Sequence, residues 1–273
     1  MKLDFFRREV FSMTQKKYRK KQNSMRLIRL LVLMFFAALA GGLLYYVFLY
    51  SGLFTVKSIQ VEGTNQIEER MLVDRSGIRL GDQFFGIKLA AVSKKIESHP
   101  YVRNADVERK GWSTINIVVR EREEYAIIPY MGSYMTLDEE KVVLNVTDGI
   151  LDSNVCLVTG IEFLSFQIGE PVQVQNEASL DTVYQILGAA REAEILDMLS
   201  EINVDHSGQV KIVTFNGIEA LFGQIDNPAY AILALKEALI TLHTRNMKDV
   251  IIDMRFEGHI TVQDKVRQEG EDD

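Results

Sequence analysis

A single uncharged run limits every fold open to this chain. From Leu30 to Tyr50 it reads LLVLMFFAALAGGLLYYVFLY, 21 residues without a charge. At about 1.5 Å per residue, a helix of that length crosses a hydrocarbon layer of roughly 30 Å. Arg26 and Arg29 close its near end, and Tyr45, Tyr46 and Tyr50 lie toward its far end, where amphipathic rings favour the interface. Ala38-Leu39-Ala40 has the form of a signal-peptidase site, but apolar residues continue to Tyr50, longer than a signal h-region needs. The segment 30–50 is therefore expected to stay as one transmembrane helix. Ala37 with Gly41 and Ala38 with Gly42 are small-residue pairs suited to packing on another membrane helix, although such residues are common in these helices.

Charge divides around this run. Residues 1–29 hold ten basic against two acidic residues, a net of +8, which leaves −15 for the remainder of a chain whose total is −7. A basic head beside a membrane segment stays in the cytoplasm, so the body is expected outside, in a single-pass type II arrangement. The stretch KKYRKK also suits anionic membrane lipid. An acidic body argues against nucleic acid as a partner. The length fits one to two folded units, and one cysteine, Cys156, excludes an internal disulfide and thiolate zinc sites.

After the membrane run, Thr55 to Gly63 has strand composition, with Ile59 and Val61 on one face. Asn65 is placed to cap a helix from Ile67 to about Ser76, ended by Gly77. IRLGDQFFGI follows as a loop, then a helix with Leu89, Val92 and Ile96 in a stripe and Pro100 beyond it. Two strands, VRNADVERK and STINIVVRE, flank a Gly111-Trp112 turn. Strand, helix, helix, strand, strand is the order of a small mixed sheet covered by helices.

Beyond it, strands are expected around Gly132 and around Asp138-Glu139-Glu140, with another at Val155 to Ile161. Leu180 to Ser200 reads as helical, as two helices if Arg191 to Glu194 breaks the stripe. VKIVTF and IEALFG form a hairpin around Asn216-Gly217. Asp226 or Asn227 caps a helix whose first turn takes Pro228 and whose stripe is Ile232, Leu235, Leu239 and Leu242. A last hairpin, IIDMRFEGHITVQ, precedes the charged tail DKVRQEGEDD.

Catalytic groups do not converge in this text. His99, His206, His243 and His259 form no HExxH, and there is no GxSxG or GxGxxG. GDQFFGIK resembles a phosphate loop only until Ile87 breaks it, and Cys156 lies inside an apolar strand. Glu121, Glu123 and Glu124 in EREEY offer paired carboxylates, yet alternating charges at a strand end are more often a solvated edge. No catalytic, cofactor or metal residues are expected.

Four motifs together carry a family likeness: Val61-x-Gly63, SGI-x-x-G at Ser76 to Gly81, HPYV-x-x-A-x-V at His99 to Val107, and I-x-I-x-V-x-E-R at Ile115 to Arg122. The combination resembles a POTRA domain. Its place after one membrane helix resembles the bacterial cell-division family FtsQ/DivIB, as does DMR at Asp253 to Arg255. The resemblance runs from Arg26 to about Gln263 and is weakest between Glu123 and Leu180. It implies an α+β chain: a basic tail at 1–29, a transmembrane helix at 30–50, a POTRA domain at 54–123, a second mixed α/β-strand extracytoplasmic domain at 124–263 and a charged tail at 264–273. It implies a non-enzymatic divisome scaffold at the septum. That scaffold would hold DivIC/FtsB-type and FtsL-type division proteins, contact other divisome components, and help control septal peptidoglycan synthesis. The other reading keeps the fold but gives it polypeptide transport or envelope assembly. POTRA domains in that role are usually repeated, and one copy is seen.

The last hairpin is the working surface this reading points to. Val250, Ile252, Met254 and Phe256 alternate with Ile251, Asp253 and Arg255, and Ile260 and Val262 would extend the apolar face. Neither charge nor proline guards HITV, so its outer edge is open to strand addition unless an earlier strand covers it. Phe256, Gly258, Ile260, Thr261 and Val262 are expected at a partner, with Arg255 pairing an acidic partner residue.

Overall fold

The computed structural model describes residues 28–47, 52, 54–149, 155–256 and 259–265. The apolar run forms one helix, α1 (Ile28–Val47), with its side chains exposed along the whole length. The helix starts two residues before the expected Leu30, and Tyr50 lies outside the described residues. The rest is mixed α and β, with the fold class expected from the sequence.

Two compact units emerge from the packing. One takes in the chain to Gln60, Ile78–Lys88 and Glu108–Asn116; the other takes in Val61–Gly77, Leu89–Val107 and Ile117 onward. The first sheet has the order β1-β3-β2, from β1 (Ser58–Glu62), β2 (Val102–Lys110) and β3 (Thr114–Glu121).

In the first unit, residues 54–56 are laced to the loop at 81–84. The Val56 amide donates to Asp82 O at 2.9 Å, Gly81 N to Val56 O at 2.8 Å and Phe84 N to Phe54 O at 2.9 Å. The loop itself winds into a short 3-10 turn at Phe84–Gly86, with Phe84 fully buried. Arg109 holds that turn in place. Its Nε donates to Phe84 O at 3.2 Å and its Nη2 to Ile87 O at 2.7 Å, with the guanidinium 5.7 Å from the Phe84 ring.

In the second unit, α2 (Glu69–Ser76) and α3 (Leu89–Glu97) pack on each other and bury Leu72, Val92 and Ile96. Gly77 ends α2 in the left-handed region, φ 72°, as its position after the helix requires. The expected Asn65 cap is not made. The helix begins later, with Glu68 at its N-cap. The amides of Asn65, Gln66 and Ile67 are all taken by the Glu121 carboxylate, at 2.9, 2.8 and 3.0 Å. Gly63 explains the Val-x-Gly motif: at φ 86°, a Cβ there would stand 2.2 Å from Val119 O.

A nine-stranded sheet organises the remainder, in the order β14-β13-β12-β11-β10-β7-β4-β5-β6. Its strands are β4 (Ala126–Tyr130), β5 (Ser133–Leu137), β6 (Val143–Thr147), β7 (Cys156–Thr159), β10 (Leu199–Val204), β11 (Val210–Thr214), β12 (Glu219–Phe222), β13 (Val250–Phe256) and β14 (His259–Asp264). A two-stranded pair, β8 (Phe163–Ser165) with β9 (Gln173–Val174), stands apart from it. Two helices supply the apolar cover. In α4 (Glu177–Glu192), Leu180, Val183, Ile186, Leu187 and Ala190 are buried; in α5 (Pro228–Thr244), Ile232, Leu235, Leu239 and Leu242. These side chains join Ile128, Met135, Val158, Ile202, Ile212, Ala220 and Ile252 in one core.

Leu180 to Ser200 does not form two helices. Asn176 caps α4 through Oδ1, which accepts from Ser179 N at 3.2 Å. The helix stops at Glu192, and Glu194 turns to φ 57°. Ile195 and Leu199 are then buried by a short turn and by β10, so their helical spacing is coincidental. The Asn216-Gly217 hairpin forms as expected, with β11 and β12 antiparallel from Val210↔Phe222 to Val213↔Glu219. Asn227 accepts from Tyr230 N at 3.1 Å and caps α5, with Pro228 in its first turn.

Candidate partner-binding edge

β14 ends the sheet. Among the described residues it pairs only with β13, antiparallel, with Ile251↔Gln263, Ile252↔Val262 and Asp253↔Thr261 in register. Every residue from His259 to Asp264 is exposed, including Ile260 at 52% and Val262 at 40%. The far end of the strand is tied down. Lys265 Nζ donates to Gly217 O at 2.7 Å and pairs with Glu219 at 2.8 Å. Asp264 thus belongs to the strand rather than to the charged tail, and residues 266–273 lie outside the described residues.

The register slips by one between Asp253 and Phe256, so Met254 and Arg255 together oppose Ile260. The bulge has two consequences. It places Phe256 opposite His259, out of phase with Ile252 and Val262, so Phe256 does not simply continue the apolar face expected from alternation. It also folds Arg255 back on Asp253: the Arg255 amide donates to Asp253 Oδ1 at 3.1 Å, Nε to Oδ1 at 3.0 Å and Nη2 to Oδ2 at 2.6 Å. Hydrogen bonding and charge from Arg255 hold the Asp253 carboxyl below its ordinary range. Arg255 already has a carboxylate within its own chain, half-exposed and within reach of a second one. Phe256 is 70% exposed, and Gly258 lies outside the described residues.

Beside this edge runs a trough that the sequence reading missed. One hollow of about 430 Å³ is lined by Tyr230, Ala231 and Ala234 of α5 with Met254, Phe256 and Ile260. A second, of about 550 Å³, is lined by Ala234, Ala238 and Thr241 with Met247, Ile260 and Val262. Ala234 and Ile260 belong to both, so the hollows form one channel between helix and strand. Its cause lies in α5: Ala231, Ala234, Ala238 and Thr241 recur at helical spacing and keep that side of the helix low. The signal was present in AYAILALKEALIT, but alanine reads as a helix former rather than as a contour. The expected partner residues Phe256, Ile260 and Val262 line this channel; Thr261 does not.

The other chemical candidates are engaged elsewhere. Burial, with the nearby Glu201 charge adding to it, pushes the Cys156 thiol up to about 12, so it is no nucleophile at neutral pH. In EREEY, Glu121 binds backbone amides and Glu124 Oε1 accepts the Tyr101 hydroxyl at 2.9 Å. No cluster of three or more metal-ligating side chains occurs among the described residues.

Known proteins agree with the likeness read from the motifs. The family model described as POTRA domain, FtsQ-type, matches residues 54–122. The chain is 23% identical over 215 residues to the cell division protein DivIB of Clostridium tetani, covering 77% of this chain and 79% of the relative. It is 23% identical over 208 residues to DivIB of Clostridium acetobutylicum, covering 76% and 81%. It is 27% identical over 196 residues to the cell division protein FtsQ of Anaeromyxobacter sp., covering 71% and 62%. A solved structure, the major extracytoplasmic domain of DivIB from Geobacillus stearothermophilus, aligns at 18% identity over 47% of this chain and 98% of that one, with a TM-score of 0.29. An FtsQ-type POTRA domain behind one N-terminal apolar helix, with DivIB and FtsQ relatives over most of the length, makes this chain a member of the FtsQ/DivIB family of cell division proteins.

Proposed function

We propose that this chain is a non-enzymatic scaffold of the divisome, anchored by α1 with its N-terminus in the cytoplasm and its body outside. In this reading 54–123 is the POTRA domain and 124–263 the second extracytoplasmic domain. The terminal hairpin holds a DivIC/FtsB-type protein, with an FtsL-type protein in the same complex, and the assembly helps control septal peptidoglycan synthesis. The observation that supports it is the exposed β14 edge beside the α5 channel. A strand laid along β14 would gain backbone hydrogen bonds, and an apolar segment continuing from it would fill the channel over Ala234. Arg255 would exchange or share Asp253 with an acidic partner group.

Co-purification of the full chain with its organism's DivIC/FtsB-type and FtsL-type proteins from solubilised membranes tests the reading. Recovery of both, together with a midcell band of a fluorescent fusion during division, is the expected result. A uniform envelope signal through division, with neither partner recovered, would sink it.

A further inference from the structure

The first compact unit carries an aromatic and basic face that the partner-binding edge does not involve. The Phe54 ring lies 5.5 Å from Phe85 and 5.9 Å from Trp112, and Phe84 meets Phe85 edge-on at 5.3 Å. Trp112, at the tip of the β2–β3 turn, is 70% exposed, and Leu80 is 68% exposed. A monomer that leaves its sole tryptophan this bare, on a cluster of other rings, has an apolar surface to account for.

Charge around the rings runs against the rest of the body. Within 54–60, 78–88 and 108–116, the basic residues are Lys57, Arg79, Lys88, Arg109 and Lys110, and the acidic ones Asp82 and Glu108. The chain as a whole is at −7. Lys57, Arg79 and Lys110 are exposed beside the rings' own segments. Phe54 follows the end of α1 at Val47 by seven residues, a tether of at most about 25 Å. Backbone hydrogen bonds from Phe54 to Phe84, and from Lys57 N to Ser113 O at 2.8 Å, bind the tether's end to both loops that bear the rings.

Covalent closeness to a bilayer, exposed indole and phenyl rings, and a local excess of lysine and arginine are what an interfacial surface combines. We propose that the face formed by Trp112, Leu80, Phe85, Lys57 and Lys110 rests on the outer surface of the membrane that α1 spans and recognises anionic lipid headgroups there. The proposal rests on the reading of α1 as a transmembrane anchor.

Trp112 is the only tryptophan, so its fluorescence reports this face directly. The full chain is reconstituted into vesicles of phosphatidylcholine, alone or with phosphatidylglycerol, each carrying spin-labelled lipid as quencher. Carbonate washing first reports the anchor: loss of the chain from the vesicles counts against α1, not against the face. In vesicles that retain the chain, Trp112 should be quenched at least about twofold more with phosphatidylglycerol present, and Lys57→Glu with Lys110→Glu should remove that difference. Circular dichroism checks the variant's fold, and the comparison of lipids on the unaltered chain does not depend on it. Trp112 emission untouched by the lipid quencher in retained chain overturns the proposal, and so does equal quenching in both lipids.

Discussion

The carboxylate of Glu121 accepts the backbone amide of Gln66 at 2.8 Å, across 55 residues of sequence. Its other oxygen takes Asn65 and Ile67, so one side chain at the end of β3 satisfies the three amides leading into α2. Burial alone would raise this carboxyl; the three amides outweigh it and hold it below its ordinary range. A depressed carboxyl contributes stability above the unfolded-state pKa and loses it as pH falls through the folded value. Unfolding of the detergent-solubilised chain by urea should therefore become steeply easier below about pH 4.5. Glu121→Gln should cost about 2 kcal/mol at neutral pH and flatten that acid limb. An unchanged pH profile in the variant would show that these amides do not draw on the charge.

A second carboxylate is more deeply placed. The Asp138 side chain is 2% exposed; it ion-pairs with Arg122 and accepts from Glu140 N at 2.9 Å and Val142 N at 2.8 Å. Arg122 also reaches Glu140 at 2.6 Å, while Glu139 takes Arg103 at 2.7 Å and Arg191 at 3.1 Å. These links are not equal. The outer glutamates are 43% exposed, and such pairs are worth little. Removing Arg122 leaves a buried charge with backbone donors alone. Arg122→Ala should destabilise by about 3 kcal/mol, and Glu140→Gln by less than about 1 kcal/mol. Equilibrium unfolding of both variants decides it, and equal losses would refute the ranking.

What was legible in the sequence was local. Asn216-Gly217 announces its hairpin because Gly217 takes φ 78°, and Asn227-Pro228 announces α5 because cap and first turn are adjacent. The four-motif likeness and the alternation in Val250 to Ile252 were legible for the same reason. What was not legible depends on residues far apart or on phase. Glu121 replaces the obvious Asn65 cap only because β3 ends beside it. The Met254-Arg255 bulge has no glycine to mark it, yet it turns Arg255 onto Asp253 and moves Phe256 out of phase. The α5 channel is a shape, set by what Ala231, Ala234 and Ala238 lack.

That shape can be filled. Ala234 is half-buried and borders both hollows, so a larger side chain there projects into open space rather than into the core. Ala234→Phe should change stability by less than about 1 kcal/mol. If an apolar partner segment lies in the channel, the same change should weaken capture of the DivIC/FtsB-type protein at least about tenfold, the equivalent of roughly 1.4 kcal/mol. Titration of the partner's extracytoplasmic segment against the solubilised chain measures it. Undiminished affinity would empty the channel of any role.

Strand addition makes a sharper demand on β14. Successive amides along an edge strand point alternately toward the sheet and away from it. Of Thr261 and Val262, one amide therefore pairs with β13 and the other faces outward. Proline removes the donor at either position, with opposite expectations. At the inward position it breaks a ladder bond and should cost about 2 kcal/mol of stability. At the outward position it leaves the fold nearly unchanged and should abolish partner capture, because the added strand loses a backbone bond and meets the ring. Thr261→Pro and Val262→Pro, each assayed for unfolding and for co-purification, thus act as each other's control. One variant must be stable and deaf to the partner. If the stable one still captures the partner in full, the β14 edge is not where the partner binds.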